Sequence, residues 1–425
     1  MASPKVVENV LLPKSHPLVI LRTHFKRICK YVKSEDLYNL YQATKGDEII
    51  SDMFFGAAFF YNVEISGPWF SGPQAVDHFN QIVQIANPPN LLFQECKQPV
   101  SSSFALRLLE ITAKHNQIAP EKKIIRMRML DLSGVCVSEN LVKYLSENFK
   151  IIWLKIGKTT AQFDRFLKVE GLEHFKISSN ETYLANNLKI INFPELKTLE
   201  IMDCRRLILG KVGEYLIQSQ WLTTLTLIDC VSDERNAGLA VFLETVFSDQ
   251  SRLTEFTLGF KSPESVYSSG FFQINPSTFC ILRRVNLQNC GFLRHCMQAI
   301  VNGFPLLESL NIRGIQISSN LSFAKLFALN TLSMDYFKDC LQVVNTIKSS
   351  KFCRLEIINR WSKNNKKRCF VMDLESLQPW FCTKKQRNFM FQNCKIANLP
   401  KWLTISKSLR QLSIVRKNDI FQIIS

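Results

Sequence analysis

The sequence is poor in residues that break regular structure and in residues that carry chemistry. Glycine and proline number 15 each in 425 residues, and histidine only six. No run of about 18 uninterrupted apolar residues occurs, so no membrane-spanning helix is expected. The opening stretch Met1 to Glu8 has no basic segment followed by an apolar core, so no secretory signal is expected either. The thirteen cysteines are odd in number, scattered, and never spaced Cys-x-x-Cys. That usage excludes a secreted disulfide framework and reads as reduced thiols, small buried side chains of a cytosolic or nuclear protein. A Gly-rich phosphate loop, a Gly-x-Ser-x-Gly elbow and a His-Glu-x-x-His helix are all missing. His16, His24, His78, His115 and His174 stand isolated; His295 lies near Cys290 and Cys296, but no fourth ligand follows at a zinc spacing. The expectation is a chain that is not an enzyme and holds neither metal nor cofactor.

What is present is apolar and periodic. Hydrophobic residues make up 46% of the chain and charged ones 21%, too apolar for disorder. From about residue 125 a frame recurs: apolar, two variable, apolar, one variable, apolar. Clear copies start at Leu196 (with Leu199 and Ile201), Leu222 (Leu225, Leu227), Leu253 (Phe256, Leu258), Leu282 (Val285, Leu287) and Leu307 (Leu310, Ile312). Weaker copies start at Met127, Ile151, Leu172, Leu329, Phe352 and Leu409, and another carries Phe389 and Phe391. Successive starts from Met127 to Phe352 are 21 to 31 residues apart. Two apolar residues separated by one other point to the same side of an extended strand. A strand so short buries that side only by stacking on neighbours in a parallel ladder. Between the frames, Ala237–Phe247 and Arg294–Val301 have helical apolar spacing and return the chain on the other side. The expected fold is an α/β leucine-rich repeat solenoid, with short parallel strands on the concave face and helices on the convex face. Cys204, Cys230 and Cys290 fall eight residues past their frame starts, as does Cys394 for a copy started at Gln386. Chance would put well under one of thirteen cysteines in the dozen such slots. In repeats of this type the slot is where the chain turns off the strand and a Cys or Asn packs inward. The segments ending in those cysteines resemble the cysteine-containing subclass of leucine-rich repeats.

Residues 16–60 obey a different pattern. Ile20, Leu21, Phe25, Ile28 and Val32 keep helical spacing; Ser34-Glu35-Asp36 caps a second helix holding Leu37, Leu40 and Tyr41; and Ile49, Ile50, Met53 and Phe54 suggest a third. The stretch Ile28 to Lys45 resembles the middle of an F-box, with Tyr31-Val32, Asp36-Leu37, Leu40 and Lys45 in the matching places. The family's opening Leu-Pro pair falls on Ile20-Leu21 without the proline, its Cys on Thr44, and its Trp on Asp47. An F-box before cysteine-containing repeats is the order of F-box/leucine-rich-repeat proteins. That resemblance implies a substrate receptor of a cullin–RING ubiquitin ligase, with Leu21, Phe25, Ile28, Val32, Leu37 and Leu40 serving the Skp-family adaptor contact and the helical core. The alternative is that residues 16–60 cap the first repeat, whose apolar side would otherwise be bare. The organisation expected is a flexible 1–15, F-box-like helices over 16–60, a helical linker or cap over 61–120 with a helix at Ser103–Lys114, and about 11–12 repeats over 121–425.

Charge is the last signal. The net charge is +17, and residues 351–425 hold sixteen Lys and Arg against four Asp and Glu, so +12 of it sits there. Lys363, Lys366, Lys367, Arg368, Lys384, Lys385 and Arg387 are its densest part. Such a cluster attracts an acidic or phosphorylated target protein, or nucleic acid, and is also a short nuclear-import-like run; a merely solvated face has the same composition. The alternative to the ligase receptor is therefore a leucine-rich scaffold, nucleic-acid-associated through its basic end, in cytoplasm or nucleus.

Overall fold

The computed structural model describes residues 34–44, 46, 62–65, 74–85, 88–93, 100–116, 124–157, 169–178, 195–204, 207, 209–230, 235–261, 280–337, 339–358, 371–372, 387–392, 395–396, 409–416 and 419–424. The chain divides into two compact units, Met1–Ala161 with Lys168–Leu172, and Gln162–Leu167 with Glu173–Ser425.

In the first unit, helix α1 (Ser34–Thr44) precedes four strands, β1 (Asn62–Glu64), β2 (Asn90–Leu92), β3 (Ile125–Leu132) and β4 (Phe149–Ile156). The strands pair in parallel in sequence order. Between them run α2 (Ala75–Ile85), α3 (Ser102–Asn116) and α4 (Glu139–Asn148). Each strand contributes a pair of fully buried apolar residues two apart: Val63 and Ile65, Leu91 and Phe93, Leu130 and Leu132, Leu154 and Ile156. The helices close that side with Phe79, Ile82, Leu108, Leu109, Leu141 and Leu145. Helix α1 begins at the expected Ser34. It packs Leu37 and Tyr38 inward, with the Tyr38 hydroxyl donating to Gln81 Oε1 on α2 and its ring 5.2 Å from that of His78. The other two helices expected in 16–60 lie outside the described residues.

The reading of 61–120 as a helical linker misses β1 and β2, which extend the parallel ladder back to Asn62. Both are only three residues long. In the sequence Phe60, Val63 and Ile65 keep the frame; so do Pro88, Leu91 and Phe93, with a proline in the first apolar place and Cys96 eight residues on. The helix expected at Ser103–Lys114 is α3.

The second unit repeats the same plan. Strands β5 (His174–Ser178), β6 (Thr198–Met202), β7 (Thr224–Ile228), β8 (Glu255–Gly259), β9 (Arg284–Gln288), β10 (Ser309–Ile312), β11 (Thr331–Asp335) and β12 (Arg354–Ile358) pair in parallel in that order. A two-stranded pair, β13 (Val371–Met372) and β15 (Lys395–Ile396), stands apart from this ladder. The ladder continues through β14 (Arg387–Gln392) to β16 (Leu409–Arg416), and β17 (Asp419–Ile424) ends it antiparallel to β16. Every clear frame is buried as a triplet, and each strand opens two residues past its frame start. Helices α5 (Leu209–Gln218), α6 (Arg235–Val246), α7 (Met297–Gly303) and α8 (Cys340–Asn345) fill intervening segments. Phe256 of β8 meets Phe242 of α6 and Phe247 just after it, with ring centroids 6.0 Å away in both cases. The helix expected at Arg294–Val301 is α7, which opens later, at Met297, and a 3₁₀ turn at Gly291–Leu293 precedes the expected range.

Seven residues past the frame start, one past the strand for the first three and two past it for Gly314, Asp203, Asp229, Asn289 and Gly314 all have positive φ (55°, 52°, 57° and 77°). This left-handed turn is one that Asp, Asn and Gly adopt most readily. It swings the next residue inward. The Cys230 thiol then donates to the Ile201 carbonyl of the preceding strand at 3.4 Å, and that of Cys290 to the Leu258 carbonyl at 3.4 Å. Cys204, Cys230 and Cys290 are buried, and burial pushes the Cys230 and Cys290 thiols far above the ordinary range, so neither supplies thiolate. Two outcomes follow. Gly314→Ala should lower stability in urea unfolding by about 2 kcal/mol or more, because φ is +77° and a Cβ would fall 2.7 Å from Asn289 Cα. Brief alkylation of native protein, mapped by mass spectrometry, should label exposed Cys136 and leave Cys204, Cys230 and Cys290 unmodified until urea is added.

Candidate interaction surface

Alternate strand residues are buried on the apolar side, and the others form rows along the opposite, open side, one residue per repeat, although Ser333 and Ser413 in these rows are themselves buried. In the second unit the middle row runs Lys176, Glu200, Thr226, Thr257, Asn286, Asn311, Ser333, Glu356, Met390, Ser413. The row before it runs His174, Thr198, Thr224, Glu255, Arg284, Ser309, Thr331, Arg354, Asn388, Gln411. The inward rows are uniformly apolar over the same strands. Chemistry that differs from repeat to repeat is therefore confined to the open side.

Several charges on that side are matched between repeats. Lys176 pairs with Glu200 at 2.6 Å, Lys197 with Glu173 at 2.7 Å, Arg283 with Glu308 at 3.0 Å, and Arg284 with Glu255. The Glu255 carboxylate raises the Arg284 pKa further. At the turn edge, Lys261 bridges Asp203 and Asp229, the latter at 3.2 Å, and its backbone N–H donates to Asp229 Oδ1 at 2.5 Å. Lys261 occupies the slot that Cys204 and Cys230 fill in the two preceding repeats. The least exposed of these pairs is Arg313 with Glu356, at 2.5 Å and with side chains 22% and 12% accessible; Arg313 Nε also donates to Ser333 Oγ at 2.7 Å. Between these charged groups lies an uncharged stretch of Thr226, Thr257, Asn286 and Asn311.

Of the residues expected to serve an adaptor contact, Leu37 is buried and Leu40, 43% accessible, is exposed on the same helix. Leu21, Phe25, Ile28 and Val32 lie outside the described residues. So do Lys363, Lys366, Lys367, Arg368, Lys384 and Lys385 of the basic cluster, while Arg387 opens β14. Cys290, His295 and Cys296 form no site: both thiols are buried and separate, and the Arg294 Nε donates to His295 Nε2 at 2.8 Å. No group of three or more His, Cys, Asp or Glu among the described residues is placed to hold a metal, and no described helix is long and apolar enough to cross a membrane.

Burial separates the ion pairs by energetic weight. Glu356→Ala leaves a guanidinium in a mostly buried place and should cost about 2–4 kcal/mol in urea unfolding, whereas Glu255→Ala should cost less than about 1 kcal/mol.

No protein-family model matches the chain, and neither does any curated protein. Solved structures with a similar chain path include an internalin of Listeria monocytogenes, 11% identical, spanning 76% of this chain and 90% of that one with a TM-score of 0.41. A chain of the mouse RP105/MD-1 complex is 15% identical over 68% of this chain and 54% of its own, with a TM-score of 0.41. A leucine-rich repeat protein of Leptospira interrogans is 14% identical over 77% and 79%, with a TM-score of 0.37. The leucine-rich repeat architecture of this chain itself rests on the strand register, the buried triplets and the recurring turn.

Proposed function

We propose that this chain is a recognition protein that captures a macromolecular partner on the open side of its repeats, and that it does so as the substrate-recognition subunit of a cullin–RING ubiquitin ligase. The observation that carries the recognition role is the contrast between uniform apolar rows and open rows whose side chains differ from repeat to repeat. Such a surface varies in specificity without disturbing the core. The ligase role is supported by the F-box resemblance of Ile28 to Lys45, by the helix that starts at Ser34, and by the exposed Leu40 on it. In this reading the chain supplies proximity and orientation: the N-terminal helices hold the Skp-family adaptor, the repeats hold the target, and no side chain here enters the chemistry. The basic segment from Lys363 to Arg387 favours an acidic or phosphorylated target through charge-assisted contacts.

The test is capture of full-length protein by purified Skp-family adaptor. Leu40→Asp should abolish capture with the melting temperature unchanged, since Leu40 is exposed; no capture of wild-type protein at micromolar adaptor makes α1 a cap of the first repeat and removes the ligase role. A second reading, nucleic-acid association through the +12 segment, is separated by salt. Affinity for generic RNA that collapses between low and moderate salt favours it. Reversal of Lys366, Lys367, Lys384 and Lys385 to Glu should abolish target capture while adaptor binding survives.

A further inference from the structure

The residue just before each frame start is exposed in repeat after repeat of the second unit, at Glu195, Trp221, Arg252, Ile281, Leu306 and Lys351, and partly so at Ala328. It belongs to neither of the open-side rows. Among the described residues of this unit six large apolar side chains are exposed, and three of them, Trp221, Ile281 and Leu306, occupy this one place, 57%, 43% and 52% accessible. The core does not require them, because Leu222, Leu282 and Leu307 next to them already fill the inward place. The three fall within four successive repeats, and Arg252 stands between Trp221 and Ile281. Each of the four residues lies three before Thr224, Glu255, Arg284 and Ser309, which are register partners on β7 to β10. The ladder also extends ahead of those strands. The Thr254 N–H donates to the Thr223 carbonyl, that of Arg283 to Thr254 and that of Glu308 to Arg283, at 2.7 or 2.8 Å. The four places therefore recur at about the strand spacing, ~4.7–4.9 Å. Arg252 is exposed and forms no ion pair among the described residues, and neither does Asp249 three residues earlier.

We propose that Trp221, Arg252, Ile281 and Leu306 form a docking strip for an amphipathic α-helix of a partner protein, one that presents an apolar, an acidic and two further apolar residues on successive turns. Spacing and charge carry the choice of occupant. One helical turn advances about 5.4 Å, so three turns cover about 16 Å against about 14–15 Å for the three intervals of the strip, and each turn meets one repeat. Alternate residues of an extended chain, about 6.6–6.8 Å apart, would outrun the strip by about 5–6 Å over the same three intervals. Arg252 supplies the single charge among the four, and a carboxylate on the matching turn of the helix pairs with it. An exposed tryptophan beside two aliphatic side chains is the composition of an interface centre. Glu195 precedes this apolar stretch and Lys351 follows it after Ala328, so the strip has polar ends. The strip lies outside the open rows, so the inference goes beyond the recognition reading and rests neither on it nor on the adaptor contact.

The experiment is fluorescence anisotropy with full-length protein and a labelled, alanine-rich helical peptide carrying Leu, Glu, Leu and Leu on successive turns, made in both chain directions. One direction should bind, and a peptide of the same composition with its leucines spread around the helix should bind at least about tenfold more weakly. Trp221→Ala combined with Ile281→Ala and Leu306→Ala should weaken binding at least about tenfold, with the melting temperature unchanged because all three side chains are exposed. Val241→Lys, at an exposed apolar residue of α6, should leave binding unchanged. Arg252→Glu should weaken binding several-fold and reverse the preference toward a peptide with Lys in place of Glu. A structural disturbance would not produce that reversal, so it carries the test if the triple variant melts lower. No binding by wild type, equal binding of the spread peptide, or full binding by the triple variant overturns the proposal. Tighter binding of an extended, proline-containing peptide with the same side chains at alternate residues overturns the helix in favour of an extended partner. Self-association of wild type in sedimentation, lost in the triple variant, overturns the partner in favour of a second copy.

Discussion

Everything in this chain depends on one constraint: a strand of three to eight residues satisfies its backbone amides and carbonyls only through a neighbour of the same register. Val63, Leu91 and Leu130 occupy one row in the first unit, and Leu199, Leu225, Phe256, Val285, Leu310, Leu332, Leu355, Phe389 and Leu412 one row in the second. A one-residue slip anywhere would exchange a buried leucine for an open-side threonine or charge. Register is thus enforced twice, by hydrogen bonding and by burial. The left-handed turn after the strand strengthens it, because it aims a thiol at the previous strand's carbonyl at Cys230 and Cys290.

The division of labour between the two sides follows. Apolar side chains specify the fold, and what remains on the open side is released from that duty. Charges there are paired across repeats, as in Lys176–Glu200 and Arg313–Glu356. These pairs lock neighbours together and leave a surface that is polar without strong net attraction.

The repeats were legible in the sequence because the frame around Leu196, Leu222 or Leu282 places two apolar residues on either side of an outward one, a pattern that survives substitution. Cys204, Cys230 and Cys290 were legible for the same reason: the inward turn accepts a small side chain. Strand β2 was hidden because Pro88 stands where an apolar residue is expected; β1 keeps the frame at Phe60, Val63 and Ile65, but as a single copy beside the turn-rich stretch Gly67 to Pro73 it did not stand out. The turn position was also visible in principle, since Asp203, Asp229, Asn289 and Gly314 share a place in the frame, but a search for apolar spacing ignores polar and glycine positions. The basic segment read from composition lies outside the described residues. Ion pairs between repeats such as Lys176–Glu200 were unreadable in the sequence, because the two residues meet only through a pairing of strands 24 residues apart.

Helix α4 ends at Asn148 and β4 begins at Phe149, with no connecting residue between them. Elsewhere the return segments differ by up to ten residues, from steps of 21 to steps of 31, so the array as a whole absorbs insertions and deletions readily. At this junction there is no slack. An added residue would have to be taken up by rotating the helix about its axis or by turning β4 over, and either would disrupt the buried rows. Any change of length in this repeat is therefore directed to the other end of α4, where residues 133–138 join it to β3.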